Sequence, residues 1–132
     1  MRVLVVMRVL VVDDEPFMGY LVGTLLLPLG HQVDVASSGE EALECLEREV
    51  YDLVLCDLVM PGIGGVETIR RIRVRGGPPV IALSASISLH HQELAFRAGA
   101  VAFLGKPFSR GDLLKIVAQI GEGGDARNTG GG

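Results

Sequence analysis

This 132-residue sequence predicts a doubly wound α/β fold, an open five-stranded parallel sheet with helices on both faces. Three observations predict it. Five short apolar runs alternate with five segments of helical spacing. Most of the runs are rich in Val, Leu and Ile without period-two alternation, as expected of strands covered on both faces. The length suits five βα units and is too short for an eight-unit barrel. Successive βα units imply right-handed crossovers and therefore parallel strands.

The strand-like runs are Val9–Val12, Gln32–Ala36, Leu53–Cys56, Val80–Leu83 and Ala102–Leu104. A first helix is predicted over Pro16–Leu29, with proline where the first turn tolerates it. A second follows Ser37-Ser38-Gly39-Glu40-Glu41, where a serine cap precedes acidic first-turn residues. Its apolar stripe is Ala42, Leu43, Leu46 and Val50. A third covers about Gly65–Arg75 and buries Val66, Ile69 and Ile72. The fourth runs from Leu89 to Ala98 and stops at Gly99. The fifth starts after Ser109 and buries Leu113, Leu114, Ile116, Val117 and Ile120.

Composition narrows the function. Hydrophobic residues make up 48% of the chain and charged residues 21%, which suits a compact domain rather than a disordered one. The net charge is −4, so direct nucleic-acid binding is not expected. The longest apolar stretch, Val3–Val12, is broken by Arg8, lacks a signal-peptide cleavage site and is too short for a membrane span, which needs about 18 residues. Cys45 and Cys56 sit in apolar contexts without metal-ligand spacing and read as reduced core residues of a cytoplasmic protein.

Both ends stand apart from the βα pattern. The hexamer MRVLVV at residues 1–6 recurs at residues 7–12, and only the second copy leads into Asp13. Residues 1–6 therefore read as a duplicated segment outside the fold, and residues 7–120 as the domain. The sharper alternative is that the extra copy pairs with a sheet edge, its own or a neighbour's. The Gly-rich tail, residues 121–132, lacks apolar periodicity and is expected to be disordered.

Ligands of open α/β sheets bind beyond the carboxyl ends of the strands. The residues there are Asp13 and Asp14 after the first strand, Asp57 after the third, Ser84 after the fourth and Lys106-Pro107 after the fifth. Taken singly, each has a plain reading as a loop, cap or turn residue. Their joint placement at four strand ends points to a site. Three carboxylates so close repel one another, so one is protonated or a cation lies among them. An all-oxygen set favours magnesium over zinc. A carboxylate is a competent nucleophile for phosphoryl transfer, and Lys106 and Ser84 suit the phosphoryl oxygens. His31, His90 and His91 lie off these strand ends; His90 and His91 read as solvated or partner-facing.

The ordered set VVDDEP at residues 11–16, LVLCDLVMPGIGG at 53–65, IALSA at 81–85 and FLGKPF at 103–108 resembles the receiver domain of two-component response regulators. The resemblance spans Met7 to Ile120 and is closest to single-domain, chemotaxis-type regulators. It implies a flavodoxin-like sheet of order 2-1-3-4-5. It assigns Asp57 as phosphoacceptor, with Asp13, Asp14, Asp57 and the Val59 backbone carbonyl holding Mg2+, for which Mn2+ is a possible substitute. It gives Lys106 and Ser84 the phosphoryl contacts, Ser84 and Phe103 the switch, and Lys106–Pro107 a cis bond. The implied activity is self-catalysed phosphoryl transfer and hydrolysis at Asp57 rather than turnover of a separate substrate. Its implied partners are a sensor histidine kinase or histidine phosphotransfer protein and a downstream protein target, reached through the face of the fourth helix, fifth strand and fifth helix.

Departures from the pattern are few. Gly64 stands where Asp is frequent, which adds flexibility, and apolar Val59 offers no hydrogen bond to an attacking water, which implies slow self-dephosphorylation. Three other readings compete. A haloacid-dehalogenase-like phosphatase needs a second Asp two residues after the nucleophile, and that position is Val59. A degenerate receiver serving only as an interaction module would normally lack Asp57, Lys106 or one of the acidic pair. A receiver fragment of a hybrid histidine kinase shares the same motifs.

Overall fold

The computed structural model describes residues 5–122. The chain runs β1 (Arg8–Val12), α1 (Pro16–Leu26), a 3₁₀ turn (Leu27–Leu29), β2 (Gln32–Ala36), α2 (Gly39–Arg48), β3 (Leu53–Asp57), α3 (Gly64–Val74), β4 (Val80–Ser84), α4 (Leu89–Ala98), β5 (Ala102–Gly105) and α5 (Arg110–Gly121). All four strand pairings are parallel and the order is β2-β1-β3-β4-β5. The predicted fold class and strand order are both met.

The two faces of the sheet build separate cores. Leu10, Val12, Val54, Cys56 and Ala82 pack with residues of α2, α3 and α4. Val9, Val11, Leu53, Leu55, Ile81 and Leu83 pack with residues of α1 and α5. Every residue of β3 and β4 is buried, which is why these strands show no alternation in sequence. Cys45 and Cys56 are buried and unpaired, as expected of core thiols.

Element ends depart from expectation in ways that bear on the site. The first helix stops at Leu26, and Leu27–Leu29 tightens into a 3₁₀ turn ended by Gly30 at φ +91°. Pro28 has no N–H to continue the α-helical ladder. Val50 is not on the stripe of α2: the helix ends at extended Glu49 and Val50 is 84% exposed. Ser38 caps α2 by accepting from Glu41 N–H, while the Ser37 hydroxyl and N–H both donate to the Glu41 carboxylate. The capping box at α5 pairs Ser109 with Asp112.

β3, β4 and β5 each run one residue further than predicted, so Asp57 and Ser84 are the last ladder residues rather than the first loop residues. Asp57 is in register with Leu83, and Ser84 with Gly105. Helix α5 likewise takes in Gly121, assigned to the tail by sequence. Residues 1–4 and 123–132 lie outside the described residues.

Candidate functional site

Three backbone arrangements bring the acids together. Asp13 follows β1 directly, with its N–H donating to the Ala36 carbonyl at 3.1 Å, so the end of β2 fixes where Asp13 stands. The Asp13 carboxylate accepts from Glu15 N–H at 2.9 Å, which turns the chain into α1 and leaves Asp14 exposed. Asp57 ends the buried central strand β3. One carboxylate oxygen from each of Asp13, Asp14 and Asp57 lies within 4.8 Å of the others.

Lys106 completes the cluster from the far side. Its Nζ is 3.3 Å from Asp13 Oδ2 and 3.3 Å from Asp57 Oδ2. The Lys106–Pro107 bond is cis, as the resemblance implies. Lys106 N–H donates to the Ser84 carbonyl at 2.7 Å, tying the end of β5 to the end of β4. Ser84 is 1% exposed, and its hydroxyl accepts from Ser86 N–H at 3.1 Å.

The electrostatics are those of a crowded anionic site. Burial pushes the Asp57 carboxyl above its usual range, and the Asp13 carboxylate pushes it further; Lys106 and the Val59 N–H offset only part of this. Burial pulls the Lys106 ammonium down, but Asp57 and Asp13 outweigh it and hold the group above its ordinary value. A single ammonium does not neutralise three carboxylates. The donor set is all oxygen and is open to solvent on the Asp14 side, which fits a hard divalent cation that keeps part of its water.

The structure brings four of the candidate residues, Asp13, Asp14, Asp57 and Lys106, together in one place. Val59 stands beside them, its N–H donating to Asp57 Oδ1 at 3.4 Å, and the residue is 69% exposed. Phe103 is half-buried on β5 and packs against the core on the α2, α3 and α4 face. His90 is exposed, as expected, while the half-buried His91 Nδ1 lies 2.7 Å from the Ser88 hydroxyl and 3.1 Å from that of Ser86. His31 is buried far from the acids, its Nδ1 accepting from Met7 N–H.

Gly65 is a site residue that the sequence reading misses. A Cβ there would stand 1.9 Å from the Asp57 carbonyl oxygen and 2.5 Å from Leu58 Cα. Only glycine lets the start of α3 pass so close to the end of β3. The signal available in sequence is the Gly64-Gly65 pair at a helix start, where flexibility at Gly64 draws the eye away from its neighbour.

Residues 9–118 match the family model described as the response regulator receiver domain. The chain belongs to the response-regulator receiver family. Similar curated proteins include an uncharacterized transcriptional regulatory protein, YrkP, of Bacillus subtilis, 36% identical over 114 residues that cover 86% of this chain and 49% of that protein. The transcriptional regulatory protein ResD of the same organism is 37% identical, with 86% and 48% covered. The sensory/regulatory protein RpfC of Xanthomonas campestris is 34% identical over 119 residues, 86% of this chain and 16% of its own. The chain thus spans half or less of these curated relatives. Among solved structures, a Thermotoga maritima response regulator matches at TM-score 0.82 and 33% identity, with 89% of this chain and 98% of that one covered. A receiver domain protein of Methanospirillum hungatei gives TM-score 0.82 at 28% identity, with 89% and 95% covered.

Receiver domains of response regulators act in two-component signalling, as switches between histidine kinases and downstream effectors. Among the described residues, no helix is long and apolar enough to cross a membrane.

Proposed function

We propose that this receiver accepts a phosphoryl group on Asp57 and catalyses that transfer itself, with a histidine kinase or histidine phosphotransfer protein as donor. The observation that carries this reading is the meeting of Asp13, Asp14 and Asp57 within 4.8 Å with Lys106 Nζ 3.3 Å from Asp57. Asp57 attacks phosphorus through a carboxylate oxygen; the phosphorus–nitrogen bond of the donor breaks, and its electron pair leaves with the imidazole. Asp13, Asp14, Asp57 and the Val59 carbonyl would hold Mg2+, whose charge permits an anionic phosphoryl group to approach a carboxylate. Lys106 balances phosphoryl charge from the opposite side, and the Ser84 hydroxyl donates to one of its oxygens.

Ser84 turning toward the phosphoryl group frees space for Phe103, and the face formed by α4, β5 and α5 changes packing. This is a two-state shift biased by a local charge event. That face then binds a downstream protein, in keeping with a cytoplasmic regulator. An interaction-only receiver is less well supported, because every member of the acceptor set is present.

Exposure to acetyl phosphate with Mg2+, followed by intact-mass measurement, tests the reading. One added phosphoryl group is expected, lost with chelator and in Asp57→Asn. No mass gain at all would favour the interaction-only module.

A further inference from the structure

The sheet has two edges, β2 and β5. Gln32 N–H donates inward to the Met7 carbonyl, and the Ala36 carbonyl accepts inward from Asp13 N–H. In a parallel ladder successive residues bond alternately to the two sides. Gln32, Asp34 and Ala36 therefore bond toward β1, and the N–H and C=O groups of Val33 and Val35 point outward. Such a row is a template for another strand unless charge or proline blunts it. The strand QVDVA has no Lys and no Pro. Its one charge, Asp34, is engaged by Arg8 at 3.0 Å and by the Tyr51 hydroxyl at 2.6 Å.

An apolar groove lies along this edge, between β2 and α1. It encloses roughly 630 Å³ and is lined by Gly19, Tyr20, Gly23, Leu27, Val33 and Val35, among others. Tyr20 is 72% exposed, Leu27 57% and Val35 47%.

The chain carries a strand already matched to β2. Residues 1–6 repeat residues 7–12 letter for letter. The second copy supplies β1, which pairs with β2 in parallel with Val9 opposite Val33 and Val11 opposite Val35. We infer that the first copy, residues 1–6 of one molecule, adds in parallel to the free β2 edge of a second molecule. In the equivalent register Val3 and Val5 stand beside Val33 and Val35, on the face where the groove opens.

The position of the chain before β1 favours a second copy over self-pairing. Val6 lies next to Gly30, and Val5 lies against Gly121 at the end of α5. Val5 and Val6 thus sit at the amino-terminal end of β1 and β2, whereas residues 1–6 laid in parallel along the outer edge of their own β2 would end at its carboxyl end, beside Ala36. The four residues before Val5 span at most about 14 Å when extended, too little to cross under β2 and then run along it.

Donor strand and acceptor edge are different surfaces, so the contact is head-to-tail and does not close on itself. A single short strand falls in the weak, transient class of interface.

Sedimentation equilibrium on the full chain, from about 10 µM to 1 mM, reads the association directly. The weight-average mass is expected to rise with concentration, and the amides of Val33 and Val35 to exchange more slowly as it does. A chain beginning at Met7 is expected to stay monomeric. So is Val35→Lys, which places a charge on the edge and leaves the inward hydrogen bonds intact; far-UV circular dichroism and melting check that both fold. A full chain that is monomeric throughout overturns the inference, as does association that survives removal of residues 1–6. A monomer whose Val33 and Val35 amides are protected until residues 1–6 are removed also overturns it, because the chain would then be covering its own edge.

Discussion

Lys106 Nζ stands 3.3 Å from Asp57 Oδ2, although the strands that carry the two residues are not neighbours. β4 lies between β3 and β5, so the side chain reaches across a whole strand to Asp57. It arrives there because β5 ends one residue earlier and the Lys106 N–H is pinned to the Ser84 carbonyl.

Removing that ammonium leaves Asp13 and Asp57 facing each other without their nearest cation. Lys106→Met is expected to keep the fold and to slow phosphoryl uptake at Asp57 by at least about 100-fold, the scale of losing one charge-stabilising donor. A time course of intact mass with acetyl phosphate and Mg2+ checks it; uptake within about threefold of the parent would contradict this role for Lys106.

Asp57 is costly to the free domain. Burial and the Asp13 carboxylate raise its carboxyl, so the native state binds this proton more tightly than the unfolded chain does. Its stabilising contribution is present below the unfolded value and is lost as pH rises through the folded one. Asp57→Asn is therefore expected to melt higher than the parent at pH 7 in chelator, by about 2–5 °C for a domain of this size. The gap should close in acid. It should also narrow when Mg2+ is added, because the ion stabilises only the chain that binds it. Calorimetry with and without Mg2+ reads both effects.

His31 runs the other way. Burial lowers its imidazole, whose Nδ1 accepts from Met7 N–H at 3.0 Å. The unfolded chain takes up a proton near pH 6.5 while the native state resists. Stability is thus fully present above the unfolded value and is lost as pH falls from there toward the depressed folded value. Melting between pH 7.5 and 5 is expected to show a smaller drop for His31→Asn, whose Oδ1 can accept from Met7 without titrating. Identical slopes for the two chains would remove His31 from the account.

Gly65 and Gly64 separate two costs. Gly65→Ala drives a methyl into backbone atoms of Asp57 and Leu58 and is expected to destabilise by about 3 kcal/mol or more. Gly64 sits at φ +79°, and a Cβ added there would meet no atom within 4 Å, so Gly64→Ala costs only the backbone conformation, about 1 kcal/mol. Denaturant titrations that rank the two the other way would mean α3 shifts freely off β3.

Much of the architecture is legible in the sequence because β3 and β4 are buried on both faces and announce themselves as unbroken Val, Leu and Ile runs. The acids and Lys106 are legible because parallel topology forces loop residues after each strand to one edge of the sheet. The strand order is not legible from periodicity and comes with the family resemblance. Local boundaries fail where one residue overrules a pattern: Pro28 ends α1 early, and extended Glu49 takes Val50 off the α2 stripe. Gly65 escapes notice because its importance lies in an atom it lacks. That only shows once the Asp57 carbonyl is placed beside it. The readings of residues 1–4 and 123–132 lie outside the described residues.

The span from Asp13 to Lys106 covers 93 positions, and the pair meets only when the first and last strands are both in the sheet. A chain still leaving the ribosome, or one clipped before β5, carries the acids without the ammonium that completes them. Its carboxylates face one another unbalanced. The strand farthest along the chain thereby sets when the cluster is whole: the acids gain their counter-charge only once β5 has joined the sheet.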